Sequence, residues 1–381
     1  MQFLKSFVPL LVLLVTFTAS AQSPSIPVPA APEIGAKAYI LMDYHSGKVV
    51  AEKNADEHRD PASLTKLMTA YVVFSELEQG HINLDDKVLI SEHAWRQKGS
   101  RMFVEVGKRV TVNNLIKGMI IQSGNDASVA LAEYVAGTES TFAQVMNQYA
   151  EQLGMTNTHY TNATGLPGGD HYTSARDTAI LARALIRNFP EYYKYYSMRS
   201  FKWNGIEQYN RNKLLWRNPD VDGLKTGYTE DAGYNLTSSA KENGMRLISV
   251  VLGADSEAAR VEQSDALLSY GFRFFQTHRL YKANEALTRS RVWKGASDTV
   301  PLGVSKDLYV TVPERQYDQL KASMSIDSRI MAPVKQGKQY GTVTVTLNGK
   351  QLAQSPLIAL DSVDEGGLWS RTVDDVMLMF Q

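Results

Sequence analysis

Asp60-Pro61-Ala62-Ser63-Leu64-Thr65-Lys66 opens a segment in which apolar residues recur at Leu64, Leu67, Met68, Tyr71, Phe74 and Leu77. That period is helical, and Pro61 suits a chain entering a helix. Residues i and i+3 share a helix face, so the Lys66 amine can reach the Ser63 hydroxyl. Backbone N–H groups at a helix start also favour negative charge forming nearby. A serine beside an amine base in that position is a candidate activated nucleophile. The spacing alone is unspecific. Ser238-Ser239-Ala240-Lys241 repeats it, in a stretch that reads as a strand running into a turn at Asn243-Gly244.

Before this segment the chain reads as a targeting signal and a spacer. Lys5 supplies a positive end, an apolar run extends from Phe7 to Phe17, and Ala19-Ser20-Ala21 gives a small-x-small cleavage pattern. The run is shorter than the about 20 apolar residues of a spanning helix. Residues 1–21 are therefore expected to be a signal peptide, with an exported mature chain. Pro24, Pro27, Pro29 and Pro32 make residues 22–33 an extended, poorly ordered lead-in. The chain has 0 cysteines, which excludes disulfides and a lipid anchor attached through cysteine. Lys plus Arg equals Asp plus Glu at 40 each, so no net field draws nucleic acid. The 7 histidines show no ligand spacing and no glycine-rich loop matches a phosphate cradle, so neither metal nor cofactor is expected.

After the lead-in, Ala38 to Asp43 and Val49 to Glu52 read as strands around a His45-Ser46-Gly47 turn. The Ser63 helix ends near Gly80. Thr111 caps a helix reaching Ile121, Asn125 or Asp126 caps another ending before Gly137, and Ser174 opens a third. Strand character returns at Leu224–Tyr228, Tyr234–Ser239 and Leu247–Leu252, and a helix runs from Glu257 to Phe275. Strands at both ends with helices between them imply one antiparallel sheet whose edge strands come from distant segments. After His278 short alternating segments, the Asn348-Gly349 turn and scattered prolines predict a small all-β domain. Past the Gly366-Gly367 joint, Leu368, Trp369, Val373, Val376, Met377 and Phe380 fall on one helical face. Such an amphipathic helix suits a membrane surface, although Asp374 and Asp375 oppose attraction to anionic lipid.

Two further patterns give the opening motif its weight. Ser123-Gly124-Asn125 falls in the break between two helices, and Lys225-Thr226-Gly227 falls on a strand. Each has an ordinary explanation singly. Together and in this order they match the S-x-x-K, S-x-N and K-T-G signature of penicillin-recognising serine acyltransferases. The chain resembles the low-molecular-mass penicillin-binding proteins that act as D-alanyl-D-alanine carboxypeptidases. The likeness rests on those motifs within Asp60–Lys66, Gln122–Ala127 and Val221–Gly227, and on Asn210-Arg211-Asn212 and Ala232-Gly233-Tyr234-Asn235.

The resemblance implies an α+β fold: a β-lactamase/transpeptidase-like domain over 34–277, an all-β domain over 278–364, and a membrane-associating amphipathic helix over 365–381. Ser63 is expected to form an acyl-enzyme, Lys66 to take its proton, and Ser123 to pass a proton to the leaving nitrogen. Burial and the cation of Lys225 are both expected to lower the Lys66 pKa. Asn125 is expected on the substrate amide, and Lys225, Thr226, Thr229 and Arg211 on the terminal carboxylate. The backbone N–H groups of Ser63 and Tyr228 are the expected oxyanion hole. Tyr228 stands where close relatives often carry histidine. The implied substrates are peptidoglycan stem peptides, with β-lactams as covalent inhibitors, at the periplasmic face of the inner membrane. A β-lactamase, an endopeptidase and a non-catalytic wall-binding scaffold are the competing readings. No glutamate motif suited to rapid deacylation lies between Ser123 and Lys225, and the intact motif residues disfavour a scaffold.

Overall fold

In a computed structural model of the chain, residues 28–379 are described. The expected signal peptide, the first part of the lead-in and Phe380 of the terminal helix lie outside them. Five antiparallel strands form the central sheet, in the order Val49–Lys53, Ala38–Asp43, Met245–Ala254, Gly233–Glu242, Val221–Thr229. The edge strands come from distant segments, as the sequence order implied. Asn243 (φ 48°) and Gly244 (φ 83°) supply the positive dihedrals that a tight hairpin turn demands.

Alternation along the strands decides which helices cover which face. Ala38, Ile40 and Met42 join Ile248, Val250 and Leu252 in a core shared with the helices Lys66–Glu78, Val112–Ile121, Asn125–Ala136, Glu139–Gln152 and Ala175–Asn188. Tyr39 and Leu41 join Leu247 and Val251 on the opposite face, under the helix Glu257–Phe274. Both faces are covered, so Ala38–Asp43 and Met245–Ala254 read as nearly continuous apolar runs, whereas Gly233–Glu242 buries Asn235, Thr237, Ser238 and Ser239. Each fully buried large apolar side chain, such as Phe74 or Leu67, contributes ~1.5–3 kcal/mol.

Three local expectations are corrected. Ala62–Thr65 is a 3-10 turn, and the α-helix proper begins at Lys66, because Ala62 adopts a positive φ of 47°. The helix Asn125–Ala136 is capped by Gly124; the Asp126 carboxylate instead accepts from the backbone N–H groups of Met102, Phe103 and Val104. The end of the lead-in is packed: Tyr270 donates to the Pro29 carbonyl, and Ala31 and Ile34 lie against the sheet core.

From Phe275 to the terminal helix the regular structure is β, apart from the short 3-10 turn Tyr317–Gln319. A six-stranded sheet contains Leu320–Ile326, Gln339–Leu347, Lys350–Ala359, Thr299–Gly303, Thr288–Trp293 and Ile330–Met331, in that order. A separate pair joins Phe275–Tyr281 to Leu308–Pro313. A cluster of hydrogen bonds ties the two regions. The buried Asp43 carboxylate accepts from Ser46 Oγ and Thr277 Oγ1 at 2.8 Å each, and Thr311 Oγ1, 2.6 Å and 2.8 Å from those two hydroxyls, has one proton to donate to one of them.

The terminal helix, Leu368–Leu378, turns its acidic side to the β domain. Its buried residue is Asp374, which accepts from Lys294 N and from the Arg291 guanidinium at 3.1 Å. Lys294 also pairs with Asp375. The acidic side holds the β domain, whereas Leu368, Trp369 and Met379 are more than four-fifths exposed. Among the described residues no helix is long and apolar enough to cross a membrane.

Candidate active site

The three motifs converge where the edge strand Val221–Thr229 passes the 3-10 turn carrying Ser63. Gly227 makes the approach possible: a Cβ there would lie 2.8 Å from the Pro61 carbonyl oxygen and 3.2 Å from the Ser63 nitrogen. Asn235 locks the arrangement by donating from its side-chain amide to the Asp60 and Pro61 carbonyls, while accepting from Gly253 N. Ala62 and Ser123 (φ 65°) both hold left-handed backbone conformations beside the reacting groups. Such strain costs ~1–3 kcal/mol per residue and persists where surrounding contacts over-determine it.

Lys66 Nζ lies 2.9 Å from Ser63 Oγ, 2.7 Å from Asn125 Oδ1 and 2.6 Å from the Thr164 carbonyl oxygen. Lys225 donates to Ser123 Oγ at 2.9 Å and to its neighbour's carbonyl, Thr226 O, at 3.1 Å. Both lysines are buried. Burial pushes the Lys66 pKa down to about 7, against the upward pull of Asp126 and Glu139. Lys225 is also held well below the usual lysine range, by burial first and then by the charges of Lys66, Arg211 and Arg260. The lowering of Lys66 is therefore a desolvation effect before it is a charge effect. The two buried amines also repel each other, as the lowering of Lys225 by the charge of Lys66 shows. Lys66–Ser63 and Lys225–Ser123 form two hydrogen-bonded pairs, and no hydrogen bond joins one pair to the other.

A cavity of about 210 Å³ opens over these pairs, lined by Ser63, Ser123, Thr226, Gly227, Tyr228 and Arg211 together with Ser100, Tyr234, Glu257 and Arg260. Arg211 reaches the cavity because the asparagines on either side fold its loop. Asn210 donates to the Tyr196 and Met198 carbonyls and accepts from Asn212 N; Asn212 accepts from Leu214 N. Thr229 does not line the cavity. Its hydroxyl donates to Asp60 and accepts from Ala232 N, so it braces the nucleophile turn. Asn125 is occupied too, through Oδ1 with Lys66 and through Nδ2 with the Lys98 carbonyl at 2.6 Å, which leaves one amide hydrogen for a substrate.

The sequence reading missed Arg260. Its buried guanidinium donates to the Gly227 carbonyl at 3.2 Å, faces Glu257 at 3.4 Å and lies 5.5 Å from the centre of the Tyr234 ring. Tyr234 in turn packs on Tyr228, ring centroids 4.4 Å apart. A basic residue buried on the helix after Ser256 is a signal only once that helix is placed beside the K-T-G strand. The site thus has a paired nucleophile and base, a second amine–hydroxyl pair, and two arginines at one end suited to a carboxylate.

These features define a serine acyl-transfer site of the S-x-x-K type. Residues 25–256 match the D-alanyl-D-alanine carboxypeptidase family, peptidase family S11, and residues 275–365 match the C-terminal domain of penicillin-binding protein 5. The chain belongs to this carboxypeptidase family. It is 47% identical over 358 residues to the D-alanyl-D-alanine carboxypeptidase DacC of Escherichia coli, covering 92% of this chain and 90% of that one. Its fold matches the crystal structure of penicillin-binding protein 5 from Haemophilus influenzae with a TM-score of 0.85 and 42% identity, over 88% of this chain and 100% of that chain. Penicillin-binding protein D2 from Listeria monocytogenes, solved in its ampicillin-bound form, matches at 30% identity and a TM-score of 0.59, over 63% of this chain and 98% of that chain.

Proposed function

We propose that this chain removes the terminal D-alanine from peptidoglycan stem pentapeptides through an acyl-enzyme on Ser63, and that β-lactams acylate the same serine. The observation that carries this reading is the buried Lys66 amine, 2.9 Å from Ser63 Oγ and with its pKa lowered to about 7. A lysine of ordinary pKa would be charged and could accept no proton. Ser63 Oγ attacks the carbonyl between the two D-alanines as its proton passes to Lys66. The oxyanion forms against the backbone N–H groups of Ser63 and Tyr228. When the C–N bond breaks, Ser123, which Lys225 orients, gives its proton to the leaving nitrogen and takes the one held by Lys66, so that Lys66 is again neutral and can take a proton from the attacking water. Water then cleaves the ester and restores Ser63. Arg211, Arg260 and Thr226 hold the substrate's terminal carboxylate, with Lys225 behind them. The remaining amide hydrogen of Asn125 meets the substrate backbone.

The decisive experiment incubates the soluble protein with labelled penicillin and with a peptide ending in Lys-D-Ala-D-Ala. Long-lived labelling that disappears in Ser63→Ala, together with D-alanine release, is the expected result. Rapid penicillin hydrolysis without D-alanine release would identify a β-lactamase and overturn the reading.

The chain works as an exported, peripheral protein at the periplasmic face of the inner membrane, held there by its terminal helix. Exposed Leu368, Trp369 and Met379 support this, because burying them in an interface recovers hydrophobic free energy. Pairing of Asp374 and Asp375 with Arg291 and Lys294 also removes the acidic charge that would oppose anionic lipid. Deleting the residues after Gly367 should release the protein from membranes; unchanged fractionation would refute the anchor.

A further inference from the structure

A neutral amine offers two N–H groups and one lone pair. Lys66 Nζ has three oxygen neighbours, and two of them, Asn125 Oδ1 and Thr164 O, are carbonyl oxygens that can only accept. They take the two N–H groups, which leaves the lone pair facing Ser63 Oγ. The direction of the base is therefore set partly by a main-chain carbonyl, and that carbonyl belongs to a segment, Thr161 to His171, with no helix or strand.

The segment is held against the nucleophile helix at several points. Asn162 Oδ1 accepts from Thr164 N, Thr164 Oγ1 and Gly165 N, and Thr69 Oγ1 donates to the Ala163 carbonyl at 2.8 Å. Gly165, at φ 82°, leaves no room for a side chain: a Cβ there would lie 1.7 Å from the Ala62 carbonyl oxygen. His171 links the two ends of this arrangement. Its Nδ1 accepts from Thr161 N at 3.0 Å, so the neutral ring carries its proton on Nε2. Nε2–H then donates to Thr65 Oγ1 at 2.8 Å, on the residue immediately before Lys66. Thr65 is fully buried and His171 nearly so. Burial, then the charges of His159 and Lys66, holds the imidazole pKa down to about 4, so the donor–acceptor pattern persists at neutral pH.

We propose that His171 is a positioning residue for acylation: by bridging Thr161 and Thr65 it holds the Thr164 carbonyl on Lys66 and so aims the lone pair at Ser63. The proposal rests on the reading of Ser63 as nucleophile and Lys66 as its base. Rapid-mixing kinetics of the full chain with a fluorescent penicillin separate the reversible Kd from the acylation rate constant. In His171→Ala that rate constant should fall about 10²-fold, the scale of a catalytic group displaced by ~1 Å, while Kd stays within about twofold. Thr65→Val, which keeps the side-chain shape and removes the acceptor, should fall similarly and carries the test if the alanine variant does not fold. Thr65→Ser, which restores the acceptor, should recover most of the rate. Wild-type acylation in folded His171→Ala or Thr65→Val, or a loss confined to Kd, overturns the proposal. Failure of the wild-type protein to label at Ser63 would instead refute the site reading beneath it.

Discussion

Ser63/Lys66 and Ser238/Lys241 carry the same two residue types at the same spacing, and they are different chemical objects. Ser63 sits in a 3-10 turn feeding an α-helix, where side chains three apart stand above one another. The buried Lys66 Nζ therefore meets Ser63 Oγ at the floor of the cavity. Ser238 and Lys241 lie on the strand Gly233–Glu242, where residues three apart point to opposite faces. Ser238 Oγ is buried without a partner, and Lys241 is exposed to water. Spacing becomes chemistry through the element that carries it, and through the burial that strips charge from the amine.

Substitutions can break this contrast in graded ways. Ser63→Ala removes the attacking atom, so covalent penicillin labelling, followed by gel fluorescence, should vanish. Lys66→Met preserves much of the buried volume but deletes the base. Its acylation rate should fall about 10²–10⁴-fold, and residual labelling at the wild-type rate would show that another group takes the proton. Gly227→Ala forces the K-T-G strand away from the nucleophile turn, because its Cβ would sit 2.8 Å from Pro61 O. A loss of about 10–10²-fold in kcat/KM is expected with the fold retained by circular dichroism. Ser238→Ala should leave activity unchanged and shift stability by no more than about 1 kcal/mol, since no hydrogen bond is lost. A marked activity loss there would undo the comparison.

How much of this was legible in the chain depended on whether the cause was local. Thr111 and Ser174 cap their helices as the sequence implied, each accepting from the backbone N–H three residues on. Asn243-Gly244 and Asn348-Gly349 turn their hairpins because both residues accept positive φ. The three motifs were legible because each fixes residue types within a few positions. Arg260 was not, because its contact with the Gly227 carbonyl joins residues 33 apart and exists only after the last helix packs on the sheet. The Thr164 carbonyl was invisible for a different reason: every residue has one, so its aim at Lys66 leaves no mark on residue type. The attachment of the terminal helix through Asp374 was not legible, because its partners lie some eighty residues earlier. Thr229 was expected on the substrate carboxylate, whereas its hydroxyl donates to Asp60 across a fold contact that residue type does not announce.

The central claim is that burial makes Lys66 a base near neutral pH. It is tested most directly by the pH dependence of Ser63 acylation under single-turnover conditions. Below about 7 Lys66 is protonated and has no lone pair to offer, so the rate should rise tenfold per pH unit there and level off above it. A rate that keeps climbing toward the ordinary lysine value near 10.4, or one flat from acid to alkaline pH, would contradict the account.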